Sequence, residues 1–491
     1  MHTTGDPRQA SPISLICALA LITAVLVWYA QTVAFAWDEG FHILIAELIA
    51  HGKRPYLDFV FSQTPLNAFW NAGWMKVFGE SWLVSHTIAA LCCAAAVSLT
   101  SAFVLRRFPV PAWRLPGAVL AAILVGLNVL VVRFGGLAQA YGLCLLAVVA
   151  AYWFTILAVE RKRAMSAAIA GLLCGIAAGS SLLTAPVGPI MLLWMLVYNR
   201  SGRSWVKAAA FILGEALAFT PILWLWIQGH RQVLFGILNY NLLYRKTGWP
   251  NATQQNLEVV MSWIDSGHAL ILILLAAGGL LYIQFRSNWE TSIKAPFYLC
   301  AWLSITLAAY ISNVRPTFER YYLLTVPFLG ILAVAGVTAA ASKLYRADRP
   351  WVPVLLLAFL VLFGLGKSLY DERDSTAWTD MEELARKVNA VTTPDQTLFA
   401  DEAIYFLTRH TPPSGMEMRD SHKFTFPRSE SALLHVIPQA ELDSMVKKGY
   451  FHTLETCGDD KDIEAHGYAR VYAQSTKAVD CTVFWDYKPP R

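Results

Sequence analysis

Charged side chains are scarce in this sequence. They account for 15% of the 491 residues, against about 25% in an average globular domain. Hydrophobic residues account for 56%, and the mean hydropathy is +0.45. These values exclude a disordered chain, a coiled coil and an ordinary soluble enzyme. The net charge of +5 is too small to indicate a nucleic-acid-binding protein.

Metal-ligand spacing is also absent from the cysteines. None of the eight forms the Cys-x-x-Cys pair that zinc sites use. Six of them lie in apolar runs, and only Cys457 and Cys481 lie in polar sequence. The sequence contains no obvious internal repeat, low-complexity tract or lipidation motif.

Long apolar runs are abundant. Because about 20 apolar residues are needed to cross the hydrocarbon core of a bilayer, we predict a polytopic α-helical membrane protein with about eleven spans. Pro186 and Pro189 interrupt the run 165–199, which leaves open either a tight hairpin of two spans or one kinked helix. The predicted spans are 12–36, 81–104, 115–132, 138–158, 165–183, 185–199, 206–227, 267–285, 296–312, 321–341 and 351–369.

The distribution of basic residues predicts the orientation. With the N-terminus in the cytoplasm, every inner loop carries more arginine and lysine than acid, as at Arg161, Lys162 and Arg163. This is the positive-inside pattern, and an odd number of spans then places the C-terminus outside. Residues 1–370 would form the transmembrane domain, with a first outer loop at 37–80.

The polar segment 371–491 is predicted to be a small extracytoplasmic α/β domain. We expect helices at 381–391 and 402–409, and strands at 397–400, 450–456 and 482–487. Disulfides persist outside the cytoplasm, and Cys457 and Cys481 flank the two late strands. We therefore predict that they pair; two free thiols are the alternative.

The most informative stretch is Trp37-Asp38-Glu39-Gly40, at the outer end of the first span. Adjacent carboxylates at a membrane boundary are costly and tend to be functional. Apolar residues then recur at helical spacing over 41–49, which predicts a short amphipathic helix in the membrane interface. Helix capping by Asp38 and Glu39 is the structural alternative. Capping does not explain a third carboxylate at Asp58 in the run Gly-x-x-Pro-Tyr-x-Asp.

These features resemble the GT-C membrane glycosyltransferases, especially bacterial members related to protein O-mannosyltransferases and to the lipid A aminoarabinose transferase. The resemblance lies in the first span, the Asp-Glu-Gly at its outer end, the helix that follows and the turn at 52–58. A second match, at 318–327, resembles the Arg-Tyr-x-x-x-x-x-Pro stretch that opens a late span in that family. Together these features cover roughly residues 12–370.

The resemblance implies a hexosyl- or pentosyltransferase. It would move a monosaccharide from a polyprenyl-phosphate donor to a lipid, glycan or protein acceptor, with inversion, on the outer face of a bacterial inner membrane. Asp38 matches the catalytic acidic position, where a carboxylate can act as general base on the acceptor. Glu39 and Asp58 would complete the catalytic group. The predicted substrate-binding residues are Tyr56, Arg315, Arg320 and Tyr321.

Arg320 matches the arginine on the phosphate side of the family's site. Arg315, Arg245 and Lys246 are further phosphate-binding candidates, because they lie on the same side of the membrane. Anchoring to lipid headgroups is the alternative role for these cations.

The sequence departs from the resemblance at the outer start of the fourth span. Many relatives carry a second acidic residue there, whereas the stretch 133–141 has no carboxylate. A bound divalent metal is therefore doubtful, although Asp38, Glu39 and Asp58 could still hold one through oxygens. We expect no other cofactor.

Two other functions remain open from the sequence. A transporter or flippase of lipid-linked sugars would place charges near the bilayer midplane, where Glu215 is the main candidate. A glycan polymerase or ligase would rely on basic residues of the long outer loops, such as His230 and Arg231.

The predicted topology can be tested with reporter fusions. A reporter enzyme that is active only in the periplasm should be active when fused after Arg491, because eleven spans place the C-terminus outside. The same reporter fused after Arg163, in a predicted inner loop, should be inactive. Activity of a cytoplasm-only reporter after Arg491 would contradict the topology.

Overall fold

The computed structural model describes residues 12–32, 34, 36–199, 204–248, 251–344, 349–373, 377–457, 467, 470–478 and 480–488, apart from the side chains of 36–38, 245–248 and 344. Helices make up most of this structure. In chain order they are α1 (Ile13–Ala30), α2 (Ala36–Ala50), α3 (Leu66–Phe78), α4 (Trp82–Arg107), α5 (Arg114–Gly126), α6 (Val129–Phe134), α7 (Tyr141–Glu160), α8 (Ala164–Ser180), α9 (Val187–Tyr198), α10 (Ser204–Ala218), α11 (Thr220–Gln228), α12 (His230–Leu234), α13 (Tyr240–Gly248), α14 (Ala252–Asp265), α15 (Gly267–Phe285), α16 (Thr291–Asn313), α17 (Val326–Leu344), α18 (Trp351–Asp371), α19 (Trp378–Val391), α20 (Glu402–Thr408), α21 (Arg428–Leu434) and α22 (Gln439–Lys447).

The apolar helices make this an integral membrane protein. Among the described residues, seven helices are long and apolar enough to cross a membrane, and α10 with α11 would make an eighth span bent by 53°. Pro111–Gly126, Ala164–Ser180 and Leu182–Tyr198 are shorter apolar helices. Each of the eleven predicted spans therefore contains a helix, while the number that cross the bilayer and their orientation remain predictions.

Besides the bent run of α10 and α11, two of the predicted apolar runs are interrupted. The run 165–199 forms two helices, α8 and α9, joined by a 3-10 turn at Leu182–Thr184. The run 115–132 is divided at Asn128, whose Oδ1 accepts a hydrogen bond from Leu130 N–H at 3.0 Å and so begins α6. Hydropathy alone could not locate this second break, because the residues on both sides are apolar.

Close glycine contacts hold neighbouring apolar helices together. A Cβ atom at Gly171 or Gly214 would overlap backbone atoms of the facing helix in the α8–α10 pair. The same holds for Gly279 and Gly336 in the α15–α17 pair. Small residues let helix backbones approach within a membrane, where association relies on van der Waals packing.

The C-terminal segment forms one small sheet. Its strands are β1 (Leu398–Phe399), β2 (Thr453–Cys457), β3 (Tyr472–Ala478) and β4 (Cys481–Tyr487), in the order β1-β2-β4-β3. β1 is parallel to β2, and the other pairs are antiparallel. Cys457 and Cys481 lie directly opposite each other in β2 and β4 and form a disulfide, with a Cα–Cα distance of 3.9 Å. Closing this loop stabilises the sheet by roughly 3 kcal/mol in the chain-entropy description.

Helix α2 is the predicted helix of the first outer loop, but it is not exposed at a membrane interface. All residues from Glu39 to Ile49 are buried. The reason is the tail: α20 covers α2 so closely that a Cβ atom at Gly40 would lie 2.6 Å from the backbone nitrogen of Ala403. The amphipathic pattern therefore marks a helix between the transmembrane region and the tail.

Further contacts fix the tail to the first outer loop and to the start of α4. Trp82 and Trp378 stack with ring centroids 4.8 Å apart, and Trp82 Nε1 donates a hydrogen bond to Glu382 at 3.1 Å. Arg409 forms ion pairs with Glu47 in α2 and with Glu80. As a result, the first outer loop and the tail share one hydrophobic core.

Replacing Gly40 with valine tests this docking. Because the nearest atoms belong to the Ala403 backbone, they cannot move aside cheaply, and Gly40→Val should destabilise the protein by about 1–3 kcal/mol. Hydrogen exchange in α20 should rise together with the fall in melting temperature. The matched control is Gly73→Ala in α3, where a Cβ atom meets nothing within 4 Å. Wild-type exchange in α20 of Gly40→Val would contradict the docking.

Candidate functional site

A cavity of about 510 Å³ lies where the first outer loop, the segment after α16 and the tail meet. This volume is within the range of about 300–1,000 Å³ that is usual for ligand sites. Its polar and charged lining residues are His42, Ser62, Gln63, Thr64, Gln139, Ser181, Asn239, Asn241, Arg315, Arg320, Glu402 and Asp420. Three of the predicted substrate-binding residues, Arg315, Arg320 and Tyr321, line it.

Aromatic rings orient Arg320. Its Nε donates a hydrogen bond to the Tyr141 hydroxyl at 3.1 Å, and its guanidinium carbon lies 4.2 Å from the ring centroid of Phe318 and 5.5 Å from that of Tyr321. These contacts limit the conformations that the Arg320 side chain can adopt. The aromatic rings that make them carry no net charge. A guanidinium held in this way is suited to an anionic group such as a phosphate.

His42 was not predicted and lies in the cavity wall. It projects from α2, is 6% exposed, and its Nε2 lies 3.4 Å from Gln63 Nε2. Burial, together with the smaller effect of the Arg320 charge, lowers the pKa of His42 from 6.5 to about 4. The imidazole is therefore neutral at physiological pH. In a helix, a histidine four residues after an acidic residue lies on the same face as that residue. The spacing of His42 from Asp38 was therefore the signal available in the sequence.

Glu39 lies behind the cavity wall. Its side chain is fully buried, and Oε1 accepts a hydrogen bond from Ala138 N–H at 2.5 Å and lies 2.5 Å from His86 Nε2. Glu39 therefore joins α2 to α4 and to the segment before α7. It does not line the cavity.

Tyr56 and Asp58 shape the first outer loop and do not line the cavity either. The Tyr56 ring is buried, and its hydroxyl donates a hydrogen bond to the backbone oxygen of Gln63. Asp58 accepts hydrogen bonds from Arg54, at 2.6 Å from the backbone N–H and at 2.7 Å from Nη2. These hydrogen bonds from Arg54 hold the pKa of Asp58 below its usual value.

Three of the candidates from the sequence, the side chains of Asp38, Arg245 and Lys246, lie outside the described residues. The backbone at 38 belongs to α2, one helical turn before His42. The backbone at 245 and 246 belongs to α13, which begins at the cavity with Tyr240.

Several residues of the cavity wall carry a buried polar atom without a hydrogen-bond partner among the described residues. Gln139 and Thr64 are 6% and 4% exposed, and Gln139 Oε1 and Thr64 Oγ1 have no hydrogen-bond partner among the described residues. The same is true of the Tyr240 hydroxyl. Buried polar groups are normally hydrogen-bonded, so these atoms favour a polar ligand. Gln139 lies in the stretch 133–141, which contains no carboxylate.

An apolar depression of about 250 Å³ lies on α9 and α16, lined by Ile190, Leu193, Trp302, Ile305 and Thr306. Two residues of the cavity lining lie near it in the chain, Leu183 before α9 and Tyr310 in α16. At about 3.6 residues per turn, the residues of the depression on α16 lie roughly one to two helical turns from Tyr310. The depression is suited to a lipid chain next to the cavity.

Among the described residues, one group of three side chains has metal-ligand geometry, Glu455 with Cys457 and Cys481. Its two sulfur atoms are joined in the disulfide, so they are not thiolates. This group lies outside the cavity lining.

The tail contributes Glu402, Met418 and Asp420 to the cavity. None of them was predicted as a site residue. Asp401-Glu402 repeats the Asp-Glu pattern of the first outer loop at the start of a short helix, but the contact between two segments so far apart in the chain could not be inferred from one sequence.

Solved structures share this fold. ArnT of Cupriavidus metallidurans bound to undecaprenyl phosphate superposes with a TM-score of 0.68 at 13% identity, over 97% of this chain and 98% of its own. Its apo form gives 0.69 at 13% identity, over 96% and 97%. The Archaeoglobus fulgidus oligosaccharyltransferase tethered with an acceptor peptide gives 0.54 at 13% identity, over 91% and 69%. No protein-family model and no curated protein matches the sequence. The resemblance to GT-C glycosyltransferases is thus confirmed for the fold.

The pKa of His42 predicts a pH-dependent stability. Since its pKa is lower in the folded protein, the unfolded chain binds more protons between pH 6.5 and about 4, and stability falls as the pH decreases through that range. Removing this effect with His42→Gln should raise stability relative to wild type by up to about 3 kcal/mol near pH 4, measured by thermal unfolding at several pH values. The exposed control His452→Gln should follow the wild type. A constant difference between His42→Gln and wild type would contradict the assignment.

Proposed function

We propose that this protein is a glycosyltransferase that moves a monosaccharide from a polyprenyl-phosphate donor to an acceptor on the outer face of a bacterial inner membrane. The observation that carries the proposal is the cavity itself. It brings Arg315 and Arg320 beside α2, the helix that carries Asp38, in a fold whose full length matches a protein solved with undecaprenyl phosphate bound.

The proposed reaction is one displacement. An acceptor hydroxyl or amine attacks the anomeric carbon, the bond from that carbon to the phosphate oxygen breaks, and the configuration inverts. Asp38 takes the proton of the attacking group as general base. The lipid phosphate leaves with the bonding electron pair.

Arg320, with Arg315, would stabilise the departing phosphate. The second pKa of a phosphate monoester is near 6. The lipid phosphate can therefore leave without a proton donor when cations neutralise its charge. The fixed position of Arg320 against Tyr141 and Phe318 supports this role, because a preorganised cation needs little rearrangement during reaction. Tyr321 would contact the substrate at the same wall.

Glu39, Tyr56 and Asp58 would act as positioning residues. Glu39 ties α2 to α4 through His86, and the Arg54–Asp58 contact and the Tyr56 hydroxyl hold the loop that follows α2. Their removal should therefore displace α2 and with it Asp38. Asp58 accepts hydrogen bonds from Arg54, and Glu39 Oε1 accepts one from Ala138 N–H, so both carboxylates already hold groups of the protein.

The donor lipid would enter from the bilayer. The apolar depression on α9 and α16 would hold part of the polyprenyl chain while its phosphate reaches Arg315 and Arg320. The acceptor would be a lipid, a glycan or a protein, reached from the outer face.

Asp38→Asn tests the assigned base. Residue 38 lies inside α2, two positions after its first residue, and asparagine has nearly the same size as aspartate, so folding and membrane insertion should survive. Transfer should fall by roughly 10²–10⁴-fold, as expected for loss of a general base. The measurement is transfer from a polyprenyl-phosphate sugar in membranes, normalised to protein amount. The exposed tail residue Asp395 provides the control, Asp395→Asn.

A purely structural role predicts the opposite pattern. Because residue 38 lies inside the first turn of α2, its charge would then only stabilise the helix N-terminus, and Asp38→Ala would lower stability by roughly 0.3–1 kcal/mol while the folded molecules keep their activity. Near-wild-type transfer by Asp38→Asn would remove the catalytic assignment.

A further inference from the structure

The tail does more than cover the first outer loop, because Glu402 reaches the cavity. Glu402 is the first residue of α20 and is 8% exposed, and it lines the cavity together with Met418 and Asp420. Two contacts hold it there. The next residue, Ala403, packs on Gly40 of α2, and Arg419 N–H donates a hydrogen bond to Glu402 Oε1 at 2.8 Å.

The neighbouring charges neutralise one another. Asp401 pairs with Arg419, and Asp420 pairs with Lys423. Glu402 itself forms no ion pair among the described residues, and its carboxylate retains acceptor capacity beyond the Arg419 bond, since a carboxylate offers about four lone-pair positions. Burial, with the charge of Asp401 second, raises the pKa of Glu402 to about 7. This wall is thus close to neutral and does not match a strongly charged ligand.

Other features of the cavity fit an uncharged polar ligand. The unpartnered Gln139 Oε1, Thr64 Oγ1 and Tyr240 hydroxyl are hydrogen-bonding atoms of neutral groups. Tyr240 and Tyr244, which also line the cavity, stack at a centroid distance of 6.1 Å and present aromatic surface. Neutral hydrogen-bonding atoms next to aromatic surface suit a compact molecule with several hydroxyl groups and C–H faces.

We propose that Glu402 accepts hydrogen bonds from sugar hydroxyls in the cavity and is a specificity-determining residue of the site. The inference rests on the proposed glycosyl transfer and adds a residue of the tail to it. The sugar can come from two sources, the donor lipid or a glycan acceptor, and the two have the same hydroxyl chemistry.

Binding to the full-length protein in lipid nanodiscs tests the donor source. The probes are undecaprenyl phosphate and undecaprenyl-phosphate-linked mannose, glucose and arabinose, followed by tryptophan fluorescence. We define the sugar factor as the Kd of the bare lipid divided by the Kd of a glycosylated lipid. In wild type this factor should exceed one for at least one sugar. Glu402→Gln should lower it roughly tenfold, the loss of one hydrogen bond to the sugar, and leave the Kd of undecaprenyl phosphate unchanged.

The reason for this expectation is geometric. The oxygen that accepts from Arg419 N–H must remain an oxygen, so in Glu402→Gln the amide NH₂ replaces the other oxygen and cannot accept a hydroxyl proton. Glu402→Asp keeps the carboxylate but withdraws it by one methylene, and it should give a smaller loss. Should Glu402→Gln fold poorly, Glu402→Asp provides the same comparison.

Glu417→Gln is the matched control. Glu417 is a tail glutamate that is 1% exposed and whose pKa burial raises to about 7, and it lies outside the cavity lining. Its oxygen accepts a hydrogen bond from Gly415 N–H at 2.7 Å. This variant should keep the wild-type sugar factor even if it lowers the melting temperature.

Transfer rates in membranes identify the acceptor source. If Glu402 contacts the acceptor, the sugar factor of Glu402→Gln stays at the wild-type value, while the transfer rate at saturating donor falls roughly tenfold. Wild-type behaviour in both measurements, or an equal loss in Glu417→Gln, would overturn the role of Glu402. Failure of the proposed function is distinguishable, because wild-type protein would then neither bind undecaprenyl lipids nor transfer sugar.

Discussion

The contact between α2 and α20 is the constraint on which the outer part of this protein depends. Gly40 allows the two helices to approach until the position of a missing Cβ atom is 2.6 Å from the Ala403 backbone. This single approach buries the helix that carries Asp38, places Glu402 at the cavity and brings Arg409 to Glu47 and Glu80. The tail is therefore part of the candidate site, and a change that separates the two helices should affect the site and the tail together.

Charge is distributed unevenly around the cavity. Arg315 and Arg320 lie on the side formed by the segment after α16, where aromatic neighbours orient the guanidinium of Arg320. On the tail side, the ion pairs Asp401–Arg419 and Asp420–Lys423 cancel, and buried Glu402 remains. A ligand with an anionic end and a neutral, hydroxyl-rich end matches this distribution, and a lipid-linked sugar phosphate has both ends.

The sequence predicted the helical membrane fold well because hydropathy records burial in lipid directly. Arg315, Arg320 and Tyr321, which were selected from the motif at 318–327 and its neighbourhood, line one cavity, but their role in binding substrate remains a prediction. The sequence did not predict that Glu39 would contact His86 and that Asp58 would contact Arg54. A carboxylate that holds a loop and a carboxylate that contacts a ligand have the same local sequence. Glu402 was missed for another reason. Its position at the cavity depends on a contact with α2 across more than 350 residues, and such contacts leave no periodic signal in one chain.

The most direct test of the account is a structure of the protein determined in nanodiscs with undecaprenyl phosphate. We predict that the phosphate lies within hydrogen-bonding distance, about 3 Å, of the Arg320 guanidinium. The first isoprene units should leave the cavity along the depression on α9 and α16. A phosphate bound away from Arg315 and Arg320, with the cavity unchanged from the lipid-free protein, would contradict the account.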